Sequence, residues 1–140
     1  MNLNNHDTNF LCTGNVEIDK QHNNIISSFN NFIATIKSNK NIDMLKHEFV
    51  KLNVIIDEHL FTEEELLKRE NYHNYEEHLK EHNIISDKLR QLYNLLQVSS
   101  MIELPEDIIK NLIEFVNKHI IDVDVKSFKK ARNKKATRVS

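Results

Sequence analysis

Apolar side chains recur at spacings of three and four over four separate stretches of the chain, with polar residues between them. The first stretch begins near Val16 and carries Ile18, Ile25, Ile26, Phe29, Phe32, Ile33 and Ile36. One face of an α-helix repeats at that interval, so the pattern predicts a helix with a buried stripe. The polar run SNKNID (38–43) interrupts it. Asp43 is expected to cap the next helix, because a short carboxylate accepts from the unpaired N–H groups of a first turn.

The second stripe holds Leu45, Phe49, Leu52, Ile56, Leu60 and Leu67, and polar residues cluster again at 71–74. A third follows with Tyr75, Ile85, Leu89, Leu92 and Leu96. The segment VSSMIELPED (98–107) is the last connection, and its Pro105 suits the opening turn of a helix. The fourth stripe shows Ile108, Ile109, Leu112, Phe115, Val116 and Val123. Four amphipathic helices joined by connections too short for a crossover predict an all-α, up-down-up-down antiparallel four-helix bundle. The expected organisation is an irregular N-terminal arm (1–16), the bundle (17–125) and a basic C-terminal tail (126–140).

Composition agrees with this picture. One glycine and one proline in 140 residues leave little material for turns or sheets. The length suffices for a single core without staples. The lone Cys12 allows no internal disulfide, which fits a reducing interior. No apolar run has signal-peptide or membrane-spanning length, so a cytoplasmic protein with no membrane partner is expected. Net charge is −2, but residues 126–140 hold seven of the 19 basic residues and no acid, so the rest carries 12 against 21, a net of −9. Basic ends of this kind are commonly solvated, and no nucleic-acid partner is expected.

The stripes are not wholly apolar. At about 100° per residue, His22 falls in line with Ile18, Ile25 and Phe29. His59 follows Leu52 and Ile56, with Glu63 one turn later; His78 and His82 precede Ile85 and Leu89; His119 follows Leu112 and Val116 and shares their face with Val123. Five histidines and one glutamate thus face the core, while His6, His47 and His73 do not. A single core histidine needs only local partners. Five of them beside a buried carboxylate carry desolvation costs that metal ions would offset together. One tetrahedral zinc takes four ligands, so the number of donors asks for two metals.

Two other metal chemistries fit less well. HLKEH (78–82) has the H-x-x-E-H order of one zinc peptidase group, but Glu81 is expected to point away from the histidine stripe. Carboxylate-rich di-iron enzymes use two Glu-x-x-His strings. This chain has one, Glu70 to His73, in the polar connection between helices two and three.

The stretches TGNVEIDKQH (13–22), HLFTEEELL (59–67), YHNYEEHLKEH (72–82) and NKHIIDVD (117–124) resemble the hemerythrins, most closely the single-domain bacterial type. The likeness runs from about Phe10 to Asp124. It implies a non-haem di-iron centre with His78, His82 and His119 on one iron and His22 and His59 on the other, whose remaining position takes dioxygen. Glu63 and Asp124 would bridge the pair with an oxygen from water. Asp124 comes from the resemblance alone: five residues beyond His119 is about 140° around an ideal helix, and regular geometry favours Asp122. The resemblance therefore requires the fourth helix to distort or to place this carboxylate toward a neighbour.

Phe10 and Phe115 stand where the family often has tryptophan, Val116 where it has leucine, Leu67 where it has methionine, and His73 where it has proline. Ile25, Ile26, Ile56, Phe115 and Val116 are the expected apolar wall of the ligand pocket. Imidazoles suit ferrous iron, and only two carboxylates favour its oxidation. The implied function is therefore reversible dioxygen binding, as storage, delivery or buffering, and not an enzyme. Oxygen, redox or nitric oxide sensing, and an oxidase or peroxidase at the same site, are the alternatives; nitric oxide is a second ligand the open iron would take. A monomer is expected.

Overall fold

The computed structural model describes residues 13–38, 41–125 and 127–128. Four α-helices follow in order, α1 (Val16–Lys37), α2 (Ile42–Arg69), α3 (Tyr75–Gln97) and α4 (Glu106–His119), and α4 runs on into a π-helical segment, Ile120–Asp124. No strand occurs among the described residues. Phe10, Cys12, His6 and most of both the expected arm and the expected basic tail lie outside them.

Each helix starts or stops where unpaired backbone groups find partners. At α1, the Asn15 side chain accepts from the Ile18 N–H at 3.0 Å. The chain enters this cap through Gly14, whose φ of 86° is open to glycine without strain. Thr13 clamps the turn by donating its N–H and its hydroxyl to Asp19, at 2.8 and 2.7 Å. At α2 the cap is Asn41, whose side chain accepts from Met44 N–H at 2.9 Å. Asp43, the expected cap, instead lies inside the first turn, where its charge faces the positive end of the helix.

α2 ends in a Schellman closure. Asn71 takes φ 51°, Tyr72 N–H bonds Leu67 carbonyl and Asn71 N–H bonds Lys68 carbonyl, both at 3.1 Å. The accompanying apolar contact is present, with Tyr72 packed on buried Leu67. Pro105 stands at the N-cap of α4, one residue before its first turn.

Helices adjacent in sequence are in contact: α1 with α2, α2 with α3, and α3 with α4. Their apolar faces form two clusters. The larger contains Ile25, Phe29, Phe32, Phe49, Leu52, Ile56, Ile85, Leu89, Leu92, Leu112 and Val116, among others. The smaller joins Ile18, Leu67 and Phe128, with Tyr72 and Tyr75 against it. A fully buried side chain of this size contributes about 1.5–3 kcal/mol. In sequence, several buried polar residues fall between members of the two clusters. His22 lies between Ile18 and Ile25, Glu63 between Ile56 and Leu67, and His119 between Val116 and Phe128. No helix among the described residues is long and apolar enough to cross a membrane.

Candidate metal centre

α1 supplies His22, α2 His59 and Glu63, α3 His78 and His82, α4 His119, and the π-helical segment Asp124. All seven are buried, the histidines at most 3% exposed and both carboxylates at 0%. These are the residues expected from the helical stripes together with the one that only the resemblance implied.

The π-helical segment explains Asp124. Its i→i+5 bonding widens the turn, so a residue five positions after His119 returns to the same face. Asp122, favoured by regular geometry, is exposed, and Val123 turns from the expected core face to a partly buried position.

The five imidazoles direct Nε2 at the two carboxylates. Asp124 divides its oxygens: Oδ2 lies 3.0 Å from His22 and 3.3 Å from His59, and Oδ1 lies 3.0 Å from His78 and 2.8 Å from His119. Glu63 Oε1 lies 3.0 Å from His59 and 3.2 Å from His82, and Oε2 lies 3.9 Å from His22. Two overlapping groups of donor atoms result, each within 4.8 Å: His78, His82 and His119 with both carboxylates, and His22 and His59 with the same carboxylates. Either group could hold a metal ion.

Protons alone do not satisfy this layer. Burial pushes the Glu63 carboxyl well above its usual range, and the neighbouring Asp124 adds to the rise. Burial acts upward on Asp124 too, but the charge of His119 and the close approach of the His119, His22 and His59 imidazoles outweigh it and hold Asp124 well below. Burial lowers His22. It lowers His82 as well, to about 2, with His78 and His119 contributing. On His78 burial is outweighed by the nearby carboxylates of Asp124 and Glu63, and its pKa rises. A neutral His82 makes no ion pair with Glu63 despite their 3.2 Å approach.

Both Glu63 oxygens, Asp124 Oδ1 and the Nε2 atoms of His78, His82 and His119 lack a hydrogen-bond partner. The approach of His119 to Asp124 at 2.8 Å is therefore close without being aligned as a hydrogen bond. Unpaired buried groups of this kind each cost about 1–3 kcal/mol, more when charged. Cations placed among lone pairs that crowd together without pairing remove that cost, and the donor set fits them.

Two of the outer ring nitrogens have hydrogen-bond partners that the sequence does not reveal. His59 Nδ1 donates to Gln21 Oε1 at 3.0 Å, and His78 Nδ1 lies 3.1 Å from Ser127 Oγ. Glu64 approaches His82 Nδ1 at 3.8 Å. Glu81 was expected to point away; it is partly exposed, yet its carboxylate reaches within 3.9 Å of His119 Nδ1. These contacts join different helices, so no spacing within one helix signals them. Ser127 and Phe128 are helical and buried, although they fall inside the segment expected as tail.

Of the expected pocket wall, Ile25, Ile56 and Val116 belong to the main core and Ile26 is buried. Phe115 is only partly buried, with the Lys88 ammonium 5.1 Å from its ring centre. His47 and His73 are exposed, which removes the Glu70–His73 string from any buried site. A cleft of about 230 Å³ reaches His78 and Ser127 from between Tyr72, Glu77, Glu81 and Asp122. Set against protein-family models, curated proteins and solved structures, the chain matches none.

Proposed function

We propose that this chain is a hemerythrin-like protein, an up-down-up-down antiparallel four-helix bundle that binds dioxygen reversibly at a non-haem di-iron centre. The observation that carries the reading is the division of the Asp124 oxygens, Oδ2 toward His22 and His59 and Oδ1 toward His78 and His119. A carboxylate placed so can serve two cations at once. Glu63, common to both donor groups, would serve both ions as well. His78, His82 and His119 would hold one iron and His22 and His59 the other, the smaller donor set being the one that would admit the gas.

When bound, the iron pair supplies the electrons for reversible dioxygen binding. The protein's part is to hold, orient and exclude. Five neutral imidazoles against two carboxylates suit the ferrous state and drive oxidation weakly. Ile25, Ile56 and Val116 pack in the apolar layer adjoining the donors and keep bulk water from them. Gln21 and Ser127 fix two of the rings from outside.

The test is an optical titration of protein loaded anaerobically with ferrous salt. Admission of dioxygen should raise a charge-transfer band that vanishes when the gas is removed, and His59→Ala should abolish it. Steady peroxide turnover without such a band would point to an oxidase or peroxidase. A His59→Ala variant that still binds the gas reversibly would overturn the assignment of the open iron.

A further inference from the structure

Each donor group has one outer ring nitrogen with a hydrogen-bond partner, and the two groups differ in that partner and in their number of imidazoles. In the three-histidine group it is His78 Nδ1, with Ser127 Oγ at 3.1 Å. Carboxylates of Glu64 and Glu81 stand 3.8 and 3.9 Å from the Nδ1 atoms of His82 and His119, neither of which has a hydrogen-bond partner. In the two-histidine group, His22 Nδ1 has no hydrogen-bond partner. His59 Nδ1 has one, the side-chain amide of Gln21 at 3.0 Å. The orientation of that group therefore depends on one amide.

The direction of the amide follows from what lies beyond it. Thr62 Oγ1 gives its single proton to the Glu58 carbonyl at 2.9 Å. A hydroxyl whose proton is committed faces its other neighbour as an acceptor. The Gln21 atom 3.1 Å away is then the NH2 group, and its oxygen faces His59. An amide oxygen only accepts, so His59 carries its proton on Nδ1. Its Nε2 lone pair consequently faces Glu63 Oε1 at 3.0 Å and Asp124 Oδ2 at 3.3 Å. Three acceptors so close together call for a cation among them.

We infer that Gln21 is a positioning residue that builds the two-histidine subsite by locking His59 in its Nδ1–H form, and that this subsite is the weaker and more readily exchanged of the two. The inference rests on the two-metal reading above. Without Gln21, the Nε2–H form gains, because Glu63 and Asp124 are placed to accept its proton. That form has no inward lone pair to give a metal. Removal of such an outer partner typically costs about 10- to 100-fold in metal affinity. The three-histidine group, held by Ser127 and flanked by Glu64 and Glu81, does not depend on Gln21.

The experiment is an anaerobic Co²⁺ titration of the full chain, followed by visible absorption and calorimetry, for wild type, Gln21→Leu and Gln21→Glu. Wild type should take two ions with unequal affinities. Gln21→Leu should keep the tighter step and weaken the other by about 10-fold or more. Gln21→Glu should restore it, since a carboxylate oxygen also accepts from His59 Nδ1–H. A merely structural role would weaken both steps alike and would not be rescued by glutamate. Should Gln21→Leu fail to fold, Thr62→Val frees the amide to flip and should weaken the same single step. Two unchanged steps in Gln21→Leu, or equal loss in both, would overturn the inference and leave the metal reading standing. A wild-type chain that binds no Co²⁺ would overturn both.

Discussion

Asp124 Oδ1 lies 2.8 Å from His119 Nε2, although five residues separate them along one continuous helical run. In a regular α-helix the two would sit about 140° apart. The π-helical segment Ile120–Asp124 closes that angle, and such segments cost helix stability that is recovered at functional sites. Asp122, three residues from His119, is exposed. Asp124→Ala should therefore reduce the metal content of the purified protein to one ion per chain or fewer, while Asp122→Ala leaves it unchanged. Elemental analysis after anaerobic reconstitution distinguishes them.

Glu63 gives a prediction of opposite signs. Its carboxyl is fully buried and pushed well above the usual range, so the ionised form is a burden to the metal-free fold. Glu63→Gln should make the metal-free protein more stable at neutral pH, by about 1–3 kcal/mol in urea unfolding. The same change should abolish metal uptake. A variant less stable than the parent without metal would show that Glu63 is already well compensated.

The metal-free protein should respond to acid through its histidines. His82, held down to about 2, and His22, also lowered, bind protons more readily unfolded than folded. Their contribution is present above the ordinary histidine range near 6.5 and is lost as pH falls below it. Glu63 and His78, both raised, act the other way: the contribution of Glu63 is present below 4.5 and that of His78 below 6.5, and each is lost as pH rises through the folded value. Toward pH 5, between about 6 and 5, the loss from His22 and His82 should dominate, because unfolded His78 is then protonated as well. Urea midpoints across that interval should fall with acid.

Most of the architecture could be read from the chain because helix faces repeat at a fixed interval. The stripes of Leu52, Ile56 and Leu89, and the histidines set among them, follow from that interval alone. Asp124 could not be reached that way, since the π-helical turn breaks the periodicity on which the reading depends; only resemblance pointed to it. Asn41 displaced Asp43 as a cap because both are capping types two residues apart, and spacing does not choose between them. Gln21 and Ser127 were out of reach because their contacts to His59 and His78 arise from how helices pack.

The apolar layer beside the donors should govern how long the loaded site survives in air. Ile56→Ala opens a cavity next to His59 on the same helix, at a cost of about 2–5 kcal/mol. Water then reaches the donors more easily. The dioxygen-dependent band should fade faster on standing than in the parent, with the initial metal content unchanged.

Metal binding should also appear as thermal stability. Any ion that binds only the folded chain adds about 2.7 kcal/mol at a hundredfold excess over its Kd. That corresponds to roughly 8 °C in Tm for a chain of this length.

The most direct measurement is the count of iron per chain after anaerobic reconstitution with ferrous salt and removal of unbound ions. Five buried imidazoles and two buried carboxylates predict two irons retained, with a higher Tm than the metal-free protein. A chain that keeps no iron and melts at the same temperature with and without it would contradict the account.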